Sequence, residues 1–137
     1  MLNNLAYKDP LTNITTKLVF HYRDYDAQLY KSPEHASAEM AKAMIFKTPK
    51  DIKESSAFGF NYRCAGASLW QDQSDGEFAP LVEPGVSVCS VEDRYVKLVG
   101  RSIAAQRLRT RLASAYRNNC ISQEQLEIGL NLISKWA

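Results

Sequence analysis

At 137 residues the chain is long enough for one hydrophobic core and too short for two independent ones. Its 45% hydrophobic and 23% charged residues are those of an ordinary globular protein, which excludes low-complexity disorder. The formal net charge is only +2, and no apolar run approaches the ~18–20 residues that a membrane span needs.

The N-terminus, MLNNLAYKDP, has neither the basic start nor the apolar centre of a signal peptide, so a cytoplasmic protein is expected. No internal repeat or linker divides the chain, and residues 1–137 read as a single domain. Met1–Asn13 reads as a loose arm or a short first turn. Lys17–Arg23, KLVFHYR, is rich in β-formers and reads as a strand, with DYDAQLYKS as a hairpin partner. Ser32-Pro33-Glu34 starts a helix: serine caps, proline fits the first helical position, and glutamate suits the positive end of the dipole. Ala36, Met40, Ala43 and Met44 then share one face. This helix should stop before Pro49, with TPKDIKES adding one more turn.

Ala57–Trp70 reads as a strand with a bend at Gly59 or Gly66. Phe58, Phe60 and Tyr62 alternate onto one face, as core or as a platform for stacking a base. Arg63 points to the other face, and Trp70 is expected to pack. Pro80 and Pro84 make EFAPLVEPG an edge or a loop, and Val86–Cys89 is a short strand. Strands followed by helices predict an α+β fold: an antiparallel β-sheet with a long Arg-rich helix and a C-terminal helix packed on one side.

That long helix is predicted over Ser90–Leu112, with Ser90 and Asp93 as a capping pair and Asn118-Asn119 closing it. Ser122 and Gln125 make a second capping box, opening a helix from Gln123 to near Trp136. From Glu92 to Arg117 there are seven basic and two acidic residues; the remainder holds ten basic and thirteen acidic. The positive potential is therefore gathered in one element, which points to a phosphate-bearing partner. Arginine dominates its second half, and a guanidinium fork suits phosphate and stacks on flat bases. Arg94, Lys97 and Arg101 share a stripe, whereas Ala104, Leu108 and Leu112 form an apolar one. A buried face that changes along the helix predicts two packed surfaces, and with them a homo-oligomer. Gly100, mid-helix, suits close approach by another backbone or a ligand.

Cys64, Cys89 and Cys120 are odd in number and widely spaced, so neither a disulfide framework nor a zinc site is expected. His21 and His35 have no nucleophile partner in sight. There is no GxxxxGK[ST] loop, no GxGxxG and no GxSxG elbow. The expectation is a protein without catalytic residues, metal or cofactor, one that binds without turnover.

The string CSVEDRYVKLVGRSIAAQRL carries Cys89, Ser90, Asp93, Tyr95, Lys97, Gly100, Arg101, Ile103, Ala104, Arg107 and Leu108 in a recurring pattern. Over these twenty residues the chain resembles the first-described family of phage Thoeris anti-defence sponges. The resemblance implies an antiparallel sheet followed by helices, assembly into homo-oligomers, and action in the host cytoplasm. It implies sequestration of a cyclic ADP-ribose signal without cleavage, with cyclic trinucleotides held by some members. It carries Arg101 and Arg107 over as motif arginines and Tyr95 as the motif aromatic. Arg109, Arg63 and Phe60 join them as candidates from the charge and strand patterns. Arg101 and Arg107 are expected to matter more to binding than Arg117, whose charge the helix end explains. The alternative is a phage regulator or inhibitor that binds nucleic acid or another protein through the Arg-rich helix.

Overall fold

The computed structural model describes residues 4–46, 60–72, 76–90 and 94–136. The elements run β1 (Asn4–Lys8), β2 (Thr15–Asp26), α1 (Pro33–Phe46), β3 (Asn61–Asp72), β4 (Phe78–Pro80), β5 (Gly85–Cys89), α2 (Lys97–Arg117) and α3 (Gln123–Trp136). All strands belong to one antiparallel sheet ordered β1-β2-β3, with β4 and β5 following each other along the outer edge of β3. The fold is α+β, as the order of the elements predicts.

The sheet has two covered faces. Leu18 and Phe20 of β2 and Ala67 and Leu69 of β3 pack with Ala104, Leu108 and Leu112 of α2 and Leu132 and Ile133 of α3. Alternation along the strands turns Tyr25, Cys64 and Val86 to the opposite face, where Ala36, Met40 and Met44 of α1 cover them. The predicted α1 stripe is thus the buried one. Close approach depends on two glycines. A Cβ at position 66 would lie 2.2 Å from the Met44 sulfur, and one at 85 would lie 2.2 Å from the Ala104 carbonyl oxygen. Gly66 stays in register between His21 and Val86, so it admits a side chain and makes no bend.

Three sequence expectations change. Residues 4–8 are not a loose arm but strand β1, paired antiparallel with β2 across a turn that holds Asn13 at φ 64°. The side chain of Asp9 accepts the Leu11 amide within that turn. DYDAQLYKS is not a hairpin partner: Asp24, Tyr25 and Asp26 extend β2, opposite Arg63, Tyr62 and Asn61. Tyr25 is 2% exposed and packs edge-on to Tyr30, and this burial outweighs the turn-forming acids around it. The long helix begins at Lys97 rather than Ser90, with Val96 extended and no side-chain cap. The segment TPKDIKES, Phe58, Gly59 and Asp93 lie outside the described residues.

Other local signals hold. Ser32 Oγ accepts the His35 amide at the start of α1. Ser122 and Gln125 form their reciprocal box, at 3.1 Å and 2.8 Å. Asn118 and left-handed Asn119, at φ 60°, end α2. No helix among the described residues is long and apolar enough to cross a membrane.

Candidate ligand groove

The site follows from how α2 crosses β5. Gly85 lets the α2 backbone settle on the strand, and Ser87 Oγ donates to the Gly100 carbonyl at 2.7 Å. The flank of α2 then runs beside the outer edge of β5, while α1 lies on the sheet's other face. Between the two helices opens a groove of about 820 Å³. Arg107, Thr110, Arg111, Ser114 and Arg117 line its α2 wall. Arg107 donates a guanidinium N–H to the Val86 carbonyl on the groove floor. Arg111 meets Glu83 at 3.3 Å, with both side chains more than half exposed. An exposed ion pair of this kind contributes less than about 1 kcal/mol and yields readily to a phosphate. Among the described residues that line the groove, Glu34 on α1 is the one acid.

A smaller pocket of about 260 Å³ adjoins the groove at Val88. Arg63, Arg94 and Tyr95 line it over an apolar wall of Val99 and Ile103. The Arg63 guanidinium lies 5.7 Å from the Tyr95 ring centroid. Burial raises the Tyr95 pKa, with the neighbouring Tyr22 phenol and Asp24 carboxylate adding to it and Arg63 opposing. The phenol therefore remains a neutral donor at physiological pH. Residues 94–96 precede α2, with Val96 extended and Tyr95 half-buried beside Arg63.

The predicted site residues separate into five places. Arg63 and Tyr95 come together in the small pocket, and Arg107 enters the groove. Arg109 is exposed on another face of α2, and Phe60, 60% exposed, precedes β3. Arg101 lies in the core at 5% exposure. Its guanidinium carbon sits 4.4 Å from the Phe20 ring centroid and 5.2 Å from that of Trp136, with Tyr22 at 5.9 Å. The side chain completes an aromatic box, with the Lys97 amine capping Tyr22 at 4.2 Å. Tyr22 is raised in pKa by burial, against the opposing charge of Arg101. Arg117, whose charge the sequence assigns to the helix end, and Arg111, which it does not single out as a site residue, join Arg107 in the groove. The signal was present: residues 107, 110, 111 and 114 recur at helical spacing and must share a flank.

Cys64 is buried and Cys120 exposed, and Cys64, Cys89 and Cys120 form no disulfide. Among the described residues no cluster of histidine, cysteine and acid side chains could hold a metal ion. Trp70 packs as expected, 5% exposed, its indole donating to Ser68 Oγ at 2.8 Å. No protein-family model, curated protein or solved structure matches the chain.

Proposed function

We propose that this protein is a phage-type counter-defence sponge that binds and sequesters a cyclic nucleotide immune signal, a cyclic ADP-ribose isomer or a cyclic oligonucleotide, without cleaving it. The observation that carries the proposal is the convergence of Arg107, Arg111 and Arg117 with the hydroxyls of Thr110 and Ser114 along one wall of a ligand-sized groove. Guanidinium forks and hydroxyls are phosphate donors. The adjoining pocket offers Tyr95 and Arg63, flat groups on which a base can stack. Phosphate in the groove and base in the adjoining pocket is the arrangement proposed for the cyclic nucleotide. Arg107 also belongs to the motif shared with the sponge family.

The same proposal includes a homo-oligomer acting in the host cytoplasm. Its support is an apolar stripe running from Val96 into α2 at Val99 and Ile103, at 46%, 54% and 39% exposure, which also walls the small pocket, so a second copy seated on it would close that pocket. The spacing i, i+3, i+7 suits packing against a second helix.

Calorimetry with a cyclic ADP-ribose isomer and a cyclic trinucleotide tests this reading. The parent protein should bind at least one of them. Arg107→Ala and Arg111→Ala should each lose about 1.5–3 kcal/mol, roughly tenfold or more in affinity. Heat denaturation of the complex should release intact ligand. Absence of binding, or cleaved product growing with time, overturns the proposal. Tight binding of duplex DNA that falls steeply with salt would favour the nucleic-acid alternative.

A further inference from the structure

We propose that the outer edge of β5 is a docking slot for a short acidic segment of a partner protein, which adds to the sheet as an extended strand. Among the described residues β5 pairs with β3 alone, leaving its other edge open. In an antiparallel ladder alternate residues turn both N–H and C=O away from the paired neighbour. The Val86 carbonyl receives the Arg107 guanidinium from α2, so Val86 is one of the outward residues, and Val88 shares its orientation. An open edge is a template for another strand.

The surroundings select the partner. The edge forms the floor of the groove, between helices that flank it on both sides. On α1 the wall is built from Ser37, Ala38 and Ala41, small enough for a main chain to come close. On α2 it carries Arg107, Arg111 and Arg117. An incoming strand would give its own N–H to the Val86 carbonyl and release Arg107 to one of its carboxylates. Strand addition of this kind takes affinity from the main chain and specificity from alternate side chains. The inference goes beyond the nucleotide reading, because it needs the β5 backbone, which a phosphate ligand does not. The two occupants would compete for the groove.

Fluorescence anisotropy on the full chain tests it, with a capped, labelled peptide of about eight residues that alternates threonine and glutamate. The parent protein should bind this peptide, and the lysine-for-glutamate version should not bind. N-methylation of alternate peptide nitrogens, in either register, should weaken binding at least roughly tenfold in one register. Val88→Pro removes an outward N–H without touching the β3 ladder and should weaken the peptide similarly. Calorimetry of the parent protein with cyclic ADP-ribose scores the nucleotide reading on its own, so the two readings can fail separately. Should Val88→Pro not fold by circular dichroism, the N-methylated peptides decide alone. No peptide binding at millimolar concentration, equal binding of the methylated and plain peptides, or binding of the lysine version overturns the proposal.

Discussion

The two halves of α2 use arginine in opposite ways. In the first half Arg101 turns inward and is enclosed by Phe20, Tyr22 and Trp136, while Val99 and Ile103 face out. In the second half the inward positions are Leu108 and Leu112, and the outward ones are Arg107, Arg111 and Arg117. One half therefore has a charge in the core and an oily exterior, and the other has the ordinary arrangement. The difference lies in the sheet beneath. Near Arg101 the strand presents aromatic faces, which hold a cation even when water is excluded. Near Leu108 it presents Ala67 and Leu69, which offer a guanidinium nothing. An arginine's role is thus set by its angular position and by what the facing element supplies.

The largest expected effect separates those two roles. Arg101→Ala empties a buried site between two aromatic rings and should cost about 3–5 kcal/mol of stability, as large-to-small core changes do. Arg107→Ala loses one hydrogen bond at the groove and should cost only about 1 kcal/mol. Urea denaturation of both variants checks this, and equal losses would erase the distinction. Gly85→Ala should follow at about 3 kcal/mol, because its methyl would meet the α2 backbone at Ala104 and Leu108, which cannot simply swing aside. Its loss should come with weaker ligand binding, since the groove wall moves with the helix.

Val99→Asp and Ile103→Asp should leave stability nearly unchanged and convert the oligomer to smaller species in light scattering. A parent protein that is monomeric at micromolar concentration would remove the oily exterior's proposed role. At neutral pH the smallest effect concerns Cys64, on the sheet face away from α2. Burial pushes its thiol from 9.0 up to about 12. The unfolded chain gives up this proton first, so the group's contribution is complete below pH 9 and is lost as the pH rises towards 12. Stability should therefore fall through that window, less so in Cys64→Ala, and at neutral pH alkylation should label exposed Cys120 while sparing Cys64.

What the sequence disclosed follows the range of the interactions involved. The starts of α1 and α3 are written in adjacent residues, Ser32-Pro33 and Ser122 with Gln125, and they form where those residues predict. Strand β1 depends on β2 for every ladder bond, and NLAYK alone carries too little pattern to announce it. The acids before α2 resemble a cap, but α2 begins only at Lys97, after an extended Val96 and the Arg63–Tyr95 contact, a tertiary contact that adjacent residues do not announce. The burial of Arg101 was beyond reach for the same reason. Phe20 and Trp136 come from opposite ends of the chain and meet only in the fold, 4.9 Å apart. The groove was half legible: the arginine spacing on α2 defines its wall, whereas its floor and α1 side exist only after β5 is placed.

The central claim is that the groove walled by the outer flank of the second half of α2 receives a phosphate-bearing ligand. Amide chemical-shift mapping by nuclear magnetic resonance during titration with a cyclic ADP-ribose isomer tests it most directly. The expected shifts cluster at Val86, Val88, Arg107, Thr110, Arg111 and Ser114, with Tyr95 and Arg63 following and Arg109 silent. Shifts confined to the cleft between Asp9 and Glu127, or no shifts at all, would contradict it.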